Sequence, residues 1–200
     1  MTRHEQDYLA LISAAREPQA IATLALAGVI AMRSLRKPPY NLPVADLDSI
    51  ELRALQSLYF PGLLLDLNPE PFASRESERV DEFDDLLSLL MEHRSVKDRE
   101  SRWLAHAVAT ASMAENHLWQ DMGLPNRDTL SRLMAQYFTS LASQNTGNMK
   151  WKKFFYRQLC ARAGLSICRS PSCDVCCDYQ HCFGPEESKS NFDHVLLMHE

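Results

Sequence analysis

Four cysteines near the end of the chain constrain its fold more than any other feature of the sequence. They follow the spacing C-x4-C-x2-C-x5-C, and the proline, serine and aspartate residues between them favour turns over regular structure. Thiolates are soft ligands, so four of them converging on one point suit zinc or an iron–sulfur cluster better than magnesium, calcium or manganese. The pattern therefore predicts a metal-binding loop over residues 168–182, whose ligands are Cys168, Cys173, Cys176 and Cys182.

The spacing favours a cluster over a zinc ion. A structural zinc site usually takes two C-x2-C knuckles from separate parts of the chain, and only one such knuckle is present here. The first three cysteines instead reproduce the C-x4-C-x2-C run of plant-type iron–sulfur proteins, in which one loop surrounds a cluster that is larger than a single ion. Both metals remain open on the spacing alone, and the cluster is the preferred interpretation.

Two cysteines near the loop are predicted not to ligate the metal, and for one histidine, a candidate ligand, a role beside the metal is favoured over ligation. Cys177 adjoins Cys176, and the side chains of neighbouring residues usually point apart. Cys160 lies on a predicted helix, where a free cysteine is most often a buried apolar residue. His181 precedes Cys182, and we expect it to donate a hydrogen bond beside the site or to face solvent.

Length and composition indicate one compact domain. The chain has 200 residues, of which 46% are hydrophobic and 24% charged, values that are ordinary for a globular protein. We therefore predict a helical domain over residues 1–187 that includes the loop 168–182, followed by a loosely held tail over 188–200.

The charge and cysteine content exclude several classes of protein. A net charge of −5 argues against a nucleic-acid binder. Five of the six cysteines fall within 168–182, which indicates metal ligands rather than disulfides and so a reducing cytoplasm. Mixed charges precede the first long apolar run, Ala20–Met32, so no signal peptide is expected, and that run is too short to span a membrane.

Apolar residues recur at spacings of three and four along most of the chain, which predicts an all-α, multi-helix fold. Prolines, glycines and short polar residues mark the breaks and the N-caps. The predicted helices are a short first helix through Tyr8 and Ile12, then Ala20–Leu35, Asp46 or Asp48 to Phe60, Val80–Met91, Arg99–Gln120, Arg127–Ser143, and a helix capped by Asn148 and ended by Gly164.

The predicted helix Arg99–Gln120 carries a polar stripe. His106, Met113 and His117 follow one another at helical spacing and are expected to share one face. A histidine on an inward face is more often a hydrogen-bonded core residue than a ligand, and we predict that role for His106.

The second half of the chain resembles the NifQ family of nitrogen-fixation proteins. The likeness lies in the run NMKWKKFFYRQLC over Asn148–Cys160, in the four-cysteine loop and in the sequence CFGPE over Cys182–Glu186. A second run upstream, HLWQDMGLPNR over His117–Arg127, is similar to the same family. The cysteine spacing joined to an aromatic and basic helix is far more specific than either part alone.

The resemblance implies a carrier rather than an enzyme. It implies a molybdenum–iron–sulfur cluster of the Mo-Fe3-S4 type and a role in supplying molybdenum for the nitrogenase iron–molybdenum cofactor. The implied partners are the nitrogenase iron protein, the cofactor scaffold complex and a source of molybdenum such as molybdate. His117 becomes a candidate ligand because it begins the HLWQDMGL run, and a neutral imidazole can complete the coordination of a metal that thiols leave open.

The helix that leads into the cysteine loop contains no acidic residue. A thiolate-bound cluster carries negative charge, so basic side chains near it are expected to offset that charge or to draw in molybdate. The alternative is a solvated helix face. The side chains concerned are Lys150, Lys152, Lys153, Arg157 and Arg169. An acidic stretch over 66–85 is interpreted as a solvated face rather than a docking surface for a basic partner.

Two other functions remain open from the residues. One is a structural zinc module that mediates protein association, and the other is an electron carrier with a simple iron–sulfur cluster. No phosphate-binding loop, nucleophile and base pair or oxyanion motif is evident in the sequence, which disfavours a hydrolase or a kinase.

Overall fold

The structure is a computed structural model that describes residues 1–35, 38–41, 44–63, 77–165, 179–186 and 192. Within these residues every regular element is a helix and no strand occurs, which confirms the all-α prediction for this part of the chain. None of the described helices is long and apolar enough to cross a lipid bilayer. The predicted loop 168–182 is described only from residue 179 onward.

The described part of the chain contains ten α-helices and one 3-10 turn. In chain order they are α1 (Arg3–Ala14), α2 (Ile21–Met32) with a 3-10 turn (Arg33–Leu35), α3 (Ser49–Tyr59), α4 (Ser77–Glu92), α5 (Arg99–Ser112), α6 (Leu118–Asp121), α7 (Arg127–Tyr137), α8 (Thr139–Ala142), α9 (Trp151–Arg162) and α10 (Tyr179–Phe183).

Short polar side chains set several helix starts. Asp48 accepts a hydrogen bond from the backbone N–H of Ile50 at 2.8 Å, and Asn126 accepts one from Thr129 at 2.8 Å. These oxygens satisfy amide groups that have no partner inside the helix. The start of α3 therefore agrees with the cap that the sequence predicts.

The predicted helix over 99–120 is wrong in its second half. Helix α5 ends at Ser112, and His117 is the N-cap residue of the separate helix α6. A residue of another helix stabilises the connection between α5 and α6, because the Nζ of Lys152 donates to the carbonyl of Ala114 at 2.6 Å. His106, Met113 and His117 therefore do not share one helix face.

The predicted helix over 127–143 breaks at Phe138, which leaves helical geometry with φ −136° and ψ 47°. Ser95, which lies between α4 and α5, binds on both sides of the break. Its N–H donates to the carbonyl of Tyr137 at 2.8 Å, and its hydroxyl accepts from the N–H of Thr139 at 3.0 Å. A tertiary contact therefore splits a segment whose apolar periodicity is continuous.

Asn148 is not the N-cap of α9, contrary to prediction. It takes a left-handed conformation with φ 52°, and Lys150 is the N-cap residue. The side chain of Asn145 closes the preceding turn, accepting from the N–H of Met149 at 2.8 Å and donating to its carbonyl at 2.9 Å. This turn displaces the helix start by two residues.

The core forms around α2, which is buried at ten of its twelve positions. Helix α2 packs against α1 and α5, and Gly28 lets its backbone approach the turn after α6, where an added Cβ would lie 2.9 Å from the Cα of Gly123. Phe192 is fully buried and stacks on Tyr8 with ring centroids 4.3 Å apart. The rest of the predicted tail 188–200 lies outside the described residues.

Candidate metal centre and adjoining cavity

Helix α9 is anchored by its aromatic face. Trp151, Phe154 and Phe155 are buried, and their rings contact one another with centroids 5.7 to 6.1 Å apart. Burying three aromatic side chains stabilises a helix by several kcal/mol, at roughly 25 cal/mol per Å² of apolar surface. The aromatics are therefore core residues, as the sequence indicates, and they orient the polar side of the helix.

The N-terminus of α9 holds the helix that carries Cys182. The N–H of Lys150 donates to the carbonyl of Cys182 at 2.8 Å, and the Nζ of Lys150 lies 3.4 Å from the carbonyl of Gln180. Cys182 is half-buried and in no disulfide, and it lies on α10 rather than in an irregular loop. A free, partly accessible thiol beside basic side chains fits a thiolate ligand.

The remaining predicted ligands, Cys168, Cys173 and Cys176, lie outside the described residues, as does Cys177. Among the described residues no group of three or more histidine, cysteine or acidic side chains lies close enough together to hold a metal ion. The four-thiolate site thus stays a prediction. Cys160 is buried on α9, as expected of a packing residue.

His117 is brought close to the segment that follows Cys182. Its Nδ1 lies 3.5 Å from Oε1 of Glu186, and Nη1 of Arg127 lies 3.5 Å from the same oxygen. The side chain of Glu186 is only 6% exposed, so the charge of Arg127 compensates a buried carboxylate beside the ring of His117. The two runs that resemble the same family, about sixty residues apart in the chain, therefore meet in space.

A cavity of about 520 Å³ lies where α6, α9 and α10 converge. His117, His181, Lys150 and Lys153 line it, so it places the candidate ligand His117 and the neighbour of Cys182 around one space. The other lining residues are Glu115, Asn116, Leu118, Gln120, Leu130, Trp151, Lys152 and Glu186.

Lys152 differs from the other basic side chains of α9 because it points inward. Its Nζ lies 2.6 Å from Oδ2 of Asp121, a residue that is fully buried. The other carboxylate oxygen of Asp121 accepts from Nδ2 of Asn116 at 3.0 Å, and the backbone carbonyl of Asp121 accepts from the hydroxyl of Tyr40 at 2.6 Å. Burial lowers the pKa of Lys152, and the charge of Asp121 opposes that shift.

Asp121 is the residue of this region that the sequence analysis does not identify. It belongs to the HLWQDMGL run, but nothing in the local pattern pairs it with a lysine 31 positions later. The basic residues therefore divide. All three lysines line the cavity, but the ammonium of Lys152 is bound to Asp121, whereas Lys150 and Lys153 have no carboxylate partner among the described residues; Arg169 lies outside the described residues.

His106 has the core role that the sequence predicts. It is buried on α5, and its Nδ1 lies 3.0 Å from the carbonyl of Ala45. Burial lowers the pKa of this imidazole, so the neutral form is favoured. His106 is not among the described residues that line the cavity.

Comparison with known proteins identifies related sequences over most of the chain. The family model described as NifQ matches residues 25–184. The protein NifQ of Rhodobacter capsulatus is 42% identical over 142 residues, which cover 70% of this chain and 76% of that protein. The protein NifQ of Azotobacter vinelandii is 47% identical over 108 residues, covering 54% of this chain and 55% of that one. No solved structure matches the chain significantly.

Proposed function

This chain belongs to the NifQ family of nitrogen-fixation proteins, and on that premise we propose that it carries molybdenum for assembly of the nitrogenase iron–molybdenum cofactor. Molybdenum is the cargo in this proposal. An iron–sulfur core of the Mo-Fe3-S4 type, held by Cys168, Cys173, Cys176 and Cys182, supplies the sulfide and thiolate environment in which the cargo is held.

The observation that supports the proposal most directly is the bond between α9 and α10. The amide of Lys150 holds the carbonyl of Cys182, so one predicted ligand lies at the positive end of a helix dipole. Lys150 and Lys153 add two formal positive charges at the same end. A thiolate-bound cluster is anionic, and this arrangement lowers the cost of its charge near the surface.

A carrier must also release its metal. Cys182 lies on a helix of five residues, which is too short to be stable by itself. Segments of this kind open at lower free energy than packed helices such as α2. This difference favours transfer over permanent storage. We propose the nitrogenase iron protein and the cofactor scaffold complex as receiving partners, in a reducing cytoplasm.

Metal analysis of the full chain purified without oxygen tests the proposal. We expect iron, acid-labile sulfide and molybdenum together, with the brown colour of a cluster. Colourless protein that contains zinc would support the structural zinc module instead. Iron and sulfide without molybdenum would support the electron carrier.

Single cysteine variants test the ligand set. Changing any of Cys168, Cys173, Cys176 or Cys182 to alanine is expected to cut cluster occupancy sharply, because backbone atoms and water replace a thiolate poorly. The same change at Cys160 or Cys177 is the matched control and should leave the metal content unchanged.

The Cys182→Ala variant is expected to retain more iron than molybdenum, because Cys182 is set furthest from the other ligands in the plant-type spacing. Iron, sulfide and molybdenum per chain are the measurements for all six variants. Loss of metal in the Cys177 variant with retention in the Cys176 variant would show that the C-x2-C pair is assigned wrongly.

A further inference from the structure

Some of the positively charged side chains that line the cavity have no carboxylate partner within the described structure. Lys152 is neutralised by Asp121 at 2.6 Å, and Glu186 is compensated by the guanidinium of Arg127 at 3.5 Å. Lys150 and Lys153 then remain, and the other carboxylate that lines the cavity, Glu115, belongs to an exposed residue. The cavity therefore has a positive local balance in a chain whose net charge is −5.

Neither remaining lysine is committed to an anionic partner. The Nζ of Lys150 has only a long contact of 3.4 Å with a backbone carbonyl. Within the described part of the chain, the side chain of Lys153 makes no hydrogen bond and no ion pair. An ammonium group of this kind is free to bind a ligand in the cavity.

Hydrogen-bond donors of other kinds face the same space. His117 and His181 each bring an imidazole ring, which carries at least one N–H group. The cavity also adjoins the first turn of the twelve-residue helix α9, whose N-cap residue Lys150 makes no side-chain capping bond. The positive end of that helix adds to the attraction of the lysines for an anion.

From these features we propose that the cavity binds a small tetrahedral oxyanion, and that molybdate is the oxyanion it takes up. Two ammonium groups and two imidazoles around one space match the charge and the acceptor oxygens of such a dianion. A cation is disfavoured there by the lysines. With about 520 Å³, the cavity accommodates the ion together with bound water.

The proposal deepens the proposed function and rests on it, since it locates where the cargo first binds. His181 is adjacent to Cys182 in the chain, and the amide of Lys150 is bonded to the carbonyl of Cys182. An oxyanion held by Lys150 and His181 thus lies beside a predicted ligand of the cluster. Binding itself requires no covalent or redox step.

The test is reversible binding of labelled molybdate to the full chain, as isolated without oxygen, measured by equilibrium dialysis. Lys153→Gln is expected to weaken the affinity about tenfold or more, the effect of losing one charge-assisted bond. Lys153→Arg keeps the charge and should retain most of the affinity. Arg157→Gln is the matched control, because Arg157 lies one turn further along α9 and does not line the cavity. Its affinity should stay within about twofold of the unmodified protein.

The same preparations separate failure of this inference from failure of the proposed function. Molybdenum, iron and sulfide that remain after dialysis report on the cluster, whereas the dialysable fraction reports on the cavity. No reversible molybdate binding would overturn the inference even if the cluster is present. Equal weakening by Lys153→Gln and Arg157→Gln would also overturn it, because that result indicates a diffuse field rather than a site. Reversible binding that depends on Lys153 in a protein without retained molybdenum would support the cavity and count against the carrier role.

Discussion

Helices α2 and α9 are each twelve residues long, yet different forces hold them in place. Helix α2 is buried at ten positions and has no charged residue, so it is fixed by apolar packing and by close approach of backbones. Helix α9 is buried at only four positions and carries four basic residues. Helix α2 is therefore part of the core, whereas α9 packs on the core with its aromatic face and carries basic side chains on its polar face.

The comparison indicates where the chain tolerates change. Substitutions in α2 should act on stability, because every neighbour there is packed at close range. Substitutions on the polar side of α9 should act on ligand binding with little loss of stability, except at Lys152, whose partner is buried. The four predictions below test this division, in order of decreasing effect on stability.

Gly28→Ala should have the largest effect. The added Cβ would meet the backbone carbonyl of Met122 and would lie 2.9 Å from the Cα of Gly123, and neither atom can move aside without shifting a helix or a turn. We expect a loss of about 4 kcal/mol or more in the free energy of unfolding, above the usual cost of overpacking.

Urea denaturation followed by circular dichroism measures the effect at Gly28. Gly164→Ala is the control, since Gly164 has φ +67° and no atom near its Cβ position. That change should cost about 1–2 kcal/mol from backbone strain alone. Similar losses in both variants would show that α2 is not as closely packed as described.

Asp121→Asn should have the second largest effect. It leaves the half-buried ammonium of Lys152 without its carboxylate, and we expect a loss of about 2–3 kcal/mol at neutral pH, reduced from the fully buried case because the Lys152 side chain is 23% exposed. The double variant Asp121→Asn, Lys152→Met should recover part of this loss because it also removes the unpaired charge.

The Asp121→Asn deficit should depend on pH with a definite sign. The pKa of Lys152 is already lowered by burial and should fall further without Asp121. A lysine whose pKa is lower in the folded state destabilises the fold while it is charged, and this cost disappears as it loses its proton. The deficit should therefore shrink as the pH rises from neutrality towards the ordinary lysine value. A constant deficit over that range would contradict the role assigned to Lys152.

Glu186→Gln should have a smaller effect on stability, about 1 kcal/mol, because its contacts with Arg127 and His117 are both long at 3.5 Å. Its main consequence should be local. The segment after α10 loses its attachment to α6 and α7, so the thiol of Cys182 should be alkylated several-fold faster in metal-free, reduced protein. Peptide mass spectrometry resolves the cysteines, and buried Cys160 serves as the internal control. An unchanged rate at Cys182 would mean that Glu186 does not hold this segment.

His117→Ala should have the smallest effect on stability, below about 1 kcal/mol, since the side chain is 35% exposed and its contact with Glu186 is long at 3.5 Å. If His117 ligates molybdenum, the variant purified without oxygen should lose molybdenum while it keeps iron. His106→Ala is the matched control, and it should lower stability without changing the ratio of the two metals. Equal loss of molybdenum and iron in the His117 variant would contradict a ligand role.

Local features of the structure follow from the sequence alone. Apolar spacing predicts the helices, and the cap at Asp48 depends on atoms only two or three residues apart. Gly164, with φ +67°, lies just past the end of α9, as predicted. The cysteine spacing and the two similar runs were sufficient to identify the family, which the family model and the relatives confirm. Such features can be predicted because their energies arise within one turn of helix.

Tertiary contacts decided the rest. Ser95 breaks the helix at Phe138, and Lys152 holds the connection that separates α5 from α6. The cavity forms where Glu186 and α9 pack near His117, and more than thirty residues of chain separate each of them from His117. The spacing of residues in the sequence does not reveal which of several basic residues meets the buried carboxylate of Asp121, because the packing of distant segments makes that choice. The sequence by itself determined the all-helical class of the described residues and the family, because helical periodicity and motif spacing are local. The different roles of Lys152 and Lys153 were decided by where Asp121 is buried.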